Sequence, residues 1–222
     1  MAPRPMLLPG DVASWLYNYQ PARFHSIFGT EHLREYWSHI IEAEPPWFQD
    51  HPAAGRIRAT GGAQEIPVGL FGDEGGVGKH KAILVYHWRA LCSQETSTIF
   101  NRLPIFVQSC RNAVSKITEV PLLKEMVHNF NAAACGHHPF RDHEGNVLSG
   151  RRGKQAGQLL AGGFRFIFVQ YAVGWKHAVD SCNFVHSYRP GDEICHMCIA
   201  SRIGPMHFMN FAADSPCFAR KT

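Results

Sequence analysis

At 222 residues, 45% apolar and 18% charged, the chain has the composition of a globular protein with material for one large domain. No run reaches the roughly 18 apolar residues of a membrane span, and a formal charge of +4 permits a polyanionic partner without demanding one. Seven cysteines, an odd number with a single CxxC, fit thiols or metal ligands in a reducing compartment better than a disulfide framework.

The opening MAPRPMLLPGD lacks the apolar core of a signal peptide, because Pro9-Gly10-Asp11 interrupts it. An intracellular protein is expected. Residues 1–29 are expected as an N-terminal arm. Within it Asp11 caps a short helix that shows Val12, Trp15, Leu16 and Tyr19 on one face and stops at Pro21. Thr30 then caps the clearest helix, over 31–43. Its Leu33, Tyr36, Trp37, Ile40 and Ile41 recur at the spacing of one helical face, Trp37 reads as a core anchor, and Pro45-Pro46 ends it. Residues 47–64 read as a connection.

The stretch Ile66–Trp88 carries the densest chemistry. Two apolar runs, Ile66–Phe71 and Ala82–Trp88, flank a turn of acids, glycines and bases. This predicts a β-hairpin with Asp73 and Glu74 at the end of its first strand and with Gly75, Gly76 and Gly78 supplying positive φ. A phosphate loop is the competing pattern and it fails. Asp73 stands where the first glycine belongs, His80 stands where the magnesium-binding hydroxyl belongs, and the residues that follow read as strand. Leu103–Val107 supplies a third strand and completes a three-stranded antiparallel meander.

Pro121 opens a second helix, 121–134, with Leu122, Leu123, Met126, Val127 and Phe130 on one face and Gly136 as its cap. Residues 136–163 read as a long loop holding His137, His138, His143, Arg151, Arg152 and Lys154. Phe164–Val173 reads as a strand. The expected fold class is α/β or α+β: a mixed sheet built on the 66–107 meander plus strand 164–173, flanked by helices, in a single domain spanning 30–222.

Two constellations point to chemistry. Asp73 and Glu74 at a strand end suit a magnesium site, but one needs a distant carboxylate partner, from among Asp142, Glu144, Asp180, Asp192 and Glu193; turn stabilisation is the plainer role. Cys195 and Cys198, in Cys195-His196-Met197-Cys198, can give two thiolates to a tetrahedral structural zinc. Cys182 and His186 at i and i+4 would complete it, with His177 and His207 as alternatives. A redox role fits less well, since Asp192 and Glu193 oppose thiolate formation. Adjacent His137 and His138 point apart and read as surface loop.

Residues 30–222 also carry an ordered series: Trp37, His51-Pro52-Ala53, Pro67, Gly72-Asp73-Glu74-Gly75, Trp175-Lys176 and Ile194-Cys195-His196-Met197-Cys198. This series resembles a large multi-copy family of dinoflagellate proteins, which is similar in turn to cut-and-paste transposases with an RNase H-like (DDE-type) core. The resemblance implies that Asp73 is the first catalytic aspartate, on the first strand of the meander. A second carboxylate would follow on a later strand and a third on a helix, with paired Mg²⁺ ions driving phosphodiester cleavage or strand transfer on DNA in the nucleus.

The chain departs from that pattern. Val173-Gly174-Trp175-Lys176 stands where relatives carry Gly-Asp-Trp/Leu-Lys, which leaves Asp180 as the nearest substitute. The sequence also stops at Thr222, soon after the CxxC. The expectation is a truncated, catalytically degenerate copy. The alternative is a non-enzymatic, zinc-stabilised domain that binds nucleic acid or protein.

Overall fold

A computed structural model describes residues 6–76, 82–109 and 119–173. The described elements up to Ala172 form one compact unit. In chain order they are helices α1 (Pro9–Tyr19), α2 (Pro21–Phe28), α3 (Leu33–Ala43), α4 (Pro46–Gln49) and α5 (Ala54–Thr60), strands β1 (Glu65–Gly76) and β2 (Ala82–Ala90), helix α6 (Thr98–Asn101), strand β3 (Leu103–Ser109), helices α7 (Glu119–Cys135) and α8 (Gly150–Gln155), and strand β4 (Arg165–Val173). The class is mixed α/β.

The sheet order is β3-β2-β1-β4. Strands β1 and β2 pair antiparallel from Val68↔Ala90 to Gly76↔Ala82, and β3 pairs antiparallel with β2 from Ile83↔Ser109 to Trp88↔Leu103. Strand β4 lies along the other edge of β1 and runs in its direction. Arg165 N–H donates to Gln64 O at 2.8 Å where both strands begin, and Gln170 lies beside Gly69 further along. A bulge at Ile105 interrupts the β2–β3 ladder, and Leu7 N–H donates to the Ile105 carbonyl at 2.8 Å. That bond occupies part of an edge strand whose Pro104 has no N–H to offer.

Period-two alternation decides what the hairpin buries. Ile66, Val68 and Leu70 on β1 and Leu84, Tyr86, Trp88 and Ala90 on β2 are all buried. Trp88 lies 5.5 Å from Phe28, 5.7 Å from Phe166 and 5.9 Å from Phe130, a set of stacked and edge-on rings that joins α2 and α7 to strands β2 and β4 of the sheet.

The segment expected as an arm is therefore part of the body: Ala13 and Leu16 of α1 and Phe24, Ile27 and Phe28 of α2 belong to the core. Pro21 ends one helix and opens the next, because a residue without an N–H is tolerated in a first turn. Neither expected cap is used. Helix α1 begins at Pro9, ahead of Asp11, and the buried Gly10 N–H of its first turn is satisfied by Asn129 Oδ1 of α7 at 2.8 Å. Thr30 lies in a 3₁₀ turn, and its hydroxyl is 2.7 Å from His25 Nδ1. Trp37 is the core anchor that its spacing predicts: fully buried, stacked on Phe48, and donating Nε1–H to Glu65 O at 2.6 Å.

The hairpin is longer than its apolar runs. Strand β1 continues through Asp73 and Glu74 to Gly76, with every residue paired to β2. Gly75 and Gly76 stay extended and do not supply positive φ; the branched side chains of Ile83 and Val85 extend β2 and with it the ladder. Residues 47–64 hold two short helices where a plain connection was expected. The 136–163 loop closes on itself: Leu160 N–H donates to Gly136 O, and Gly157 N–H to His138 O.

Candidate functional site: the outer face of the β1–β2 hairpin

Alternation that buries Leu70 and Trp88 turns Phe71, Asp73, His87 and Arg89 to the other face. Phe71 and His87 are directly paired across the ladder, and their rings stack at 5.1 Å with planes 9° apart. The Arg89 guanidinium lies 4.8 Å from the Phe71 ring centroid, a cation–π distance. Asp73 is exposed on the same face, opposite Val85 and one diagonal step from His87.

These groups share a field. Burial pushes the His87 pKa down, the charges of Arg102 and Arg89 push it further the same way, and Asp73 opposes them. His87 is thus neutral at pH 7. The face combines one carboxylate, the Arg89 guanidinium and a stacked aromatic pair, with the charge of Arg102 close enough to act on His87. One carboxylate beside two cations is a poor seat for a divalent metal by itself. The arginines and rings suit a phosphate backbone and bases.

Glu74 is in β1, paired with Leu84. Asp142 is engaged within its own loop. Its oxygens accept from Asn146 Nδ2, Asn146 N–H and Glu144 N–H at 2.8–3.1 Å, led by the Asn146 side chain, and this holds its carboxyl below the usual range. It closes a turn. Asp180, Asp192 and Glu193, and the zinc set Cys195, Cys198, Cys182 and His186 with His177 and His207, lie outside the described residues. Among the described residues no group of three or more His, Cys, Asp or Glu could hold a metal ion, and no helix is long and apolar enough to cross a membrane.

The histidine loop divides. His137 is exposed, whereas His138 is buried, its Nε2 3.3 Å from Ser14 Oγ of α1. Burial lowers its pKa against the opposing pull of Asp11. His143 Nδ1 lies 2.5 Å from Glu125 Oε2, and Arg152 donates to Glu125 Oε1 at 3.4 Å, so Glu125 ties α7 to this loop.

A carboxylate that the sequence does not advertise is Glu65, 1% exposed at the start of β1. It accepts from Arg56 Nε at 3.1 Å, from Arg165 Nη1 at 3.3 Å and from Gln64 N–H at 3.1 Å. Arg56 reaches on to Ala134 O at 3.4 Å. One acid thereby joins α5, β1, β4 and the end of α7. Of the outer-face residues, Phe71, His87 and Arg89 were readable from strand alternation alone.

No protein-family model, curated protein or solved structure matches the chain.

Proposed function

We propose that the chain is a nucleic-acid-binding domain derived from an RNase H-like transposase core and catalytically degenerate. The observation that carries this reading is the sheet. Three consecutive strands pair antiparallel, β4 returns beside β1 in the same direction, and α7 lies between β3 and β4 in the chain. An RNase H-like core sets its first catalytic carboxylate on the first strand of such a sheet, and Asp73 is the β1 residue this reading assigns to that role. Fold likeness alone does not supply activity. The loss of function follows from the missing aspartate at Val173-Gly174-Trp175-Lys176 and from Arg89 and Arg102, which favour a phosphate over a Mg²⁺ ion next to Asp73.

The test pairs binding with cleavage. Full-length protein is titrated into labelled duplex DNA at low salt, then incubated with DNA and Mg²⁺ or Mn²⁺, alongside Asp73→Asn. The expected result is salt-sensitive binding by both proteins and no metal-dependent nicking by either. Nicking by the native chain that Asp73→Asn abolishes would show an active nuclease and sink the degeneracy; absence of binding would sink the whole reading. Metal analysis of the same preparation addresses Cys195 and Cys198: one zinc per chain supports a structural zinc, and none removes it.

A further inference from the structure

We propose that a cleft between α1 and α8 binds a single nucleotide unit, a planar base carrying a neighbouring phosphate. The cleft has a volume of about 430 Å³, within the range of small-molecule sites. On its α1 side are Trp15 and Tyr19, one turn apart, with ring centroids at 6.1 Å and planes 33° from parallel. Trp15 is 48% and Tyr19 65% exposed. The core is served by other α1 residues, Ala13 and Leu16, so these two rings have no comparable packing role in the unit.

Arg151 and Arg152 of α8 also line the cleft. Arg152 is held by Glu125 through both terminal nitrogens. Arg151 is exposed and enters no ion pair among the described residues. The site therefore offers flat aromatic surface and a cation with open donors. Bases stack on tryptophan and tyrosine with little regard to sequence, and a guanidinium matches a phosphate in shape and charge.

Asp11 lines the same cleft and decides the orientation. It repels a phosphate placed beside it, which leaves the phosphate to Arg151, and it offers an acceptor for a base amine or a ribose hydroxyl. Inorganic phosphate would leave the rings unused, and an uncharged aromatic would leave Arg151 unused. A free nucleotide and the end of a single strand present the same base-plus-phosphate chemistry. The proposal stands on residues distinct from those around Asp73 and does not depend on that reading.

The test is calorimetric titration of the full chain with AMP, adenosine, inorganic phosphate and a 5′-phosphorylated single-stranded oligonucleotide. The expected result is saturable AMP binding, with adenosine and phosphate each weaker by about tenfold or more. Trp15→Ala and Arg151→Ala each weaken AMP by about tenfold or more while keeping the native melting temperature. An oligonucleotide that binds more tightly than AMP identifies a strand end as the source; one that binds more weakly identifies the free nucleotide. Failure of AMP to saturate, phosphate binding equal to AMP, or AMP binding unchanged in both folded variants would overturn the proposal. Since Asp73→Asn and duplex binding are scored separately, either reading can fail without the other.

Discussion

Two carboxylates stand near opposite ends of β1 and live in different worlds. Glu65 is buried and gripped by Arg56 and Arg165; Asp73 is exposed beside an aromatic and arginine surface. The first is surrounded by what a fold needs, since removing one member of a buried ion group strands the others. The second stands at the surface beside half-buried rings and the charges of two arginines, a setting for a ligand more than for a core. The contrast teaches that the acid which draws notice in a sequence and the acid on which a structure depends need not be the same residue.

The comparison breaks first on stability. Glu65→Ala is expected to cost about 2–3 kcal/mol, less than for a wholly buried triad because both arginines retain some solvent contact. Asp73→Ala is expected to stay within about 0.5 kcal/mol, as exposed substitutions usually do. Urea unfolding of the two variants checks both; equal effects would erase the distinction.

A second, smaller effect tests the same end of the strand. Gly62 has φ +67, and a Cβ there would come within 2.1 Å of Trp37 Cδ1. Gly62→Ala is expected to cost about 2 kcal/mol through strain and displacement of Trp37. The readout is the same unfolding curve, with a loss of Trp37 burial in the fluorescence.

The smallest expected effect is in pH. His87 and His138 both have folded pKa values below the ordinary 6.5. At pH above 6.5 both states are neutral and nothing is lost. As pH falls through 6.5 toward the folded values, the unfolded chain takes up protons that the native one does not, so stability declines. His138→Gln should flatten that acid-side decline between pH 7 and 5, and an unchanged slope would assign it elsewhere.

Much of the fold was legible because its signals are local. Alternation of Ile66, Val68 and Leu70 marks a strand, and the spacing of Leu33, Trp37 and Ile40 marks a helix. What was missed depends on distant partners. Phe24 and Phe28 look like any apolar pair until Phe164 packs on the first and Trp88 and Phe166 on the second. Glu65 needs an arginine a hundred residues later. Asp11 and Thr30 have capping chemistry, but Asn129 satisfies Gly10 and His25 engages Thr30. Phe71, His87 and Arg89 were within reach, because the alternation that hides Leu70 and Trp88 exposes them.

The most direct test of the nucleic-acid reading is the salt dependence of duplex-DNA affinity for the native chain and for a variant carrying Arg89→Gln and Arg102→Gln. If this face meets the phosphate backbone, the variant binds more weakly and its log–log salt slope falls by about two, close to one per lost phosphate contact. An unchanged affinity and slope in a variant that melts like the native protein would contradict the account.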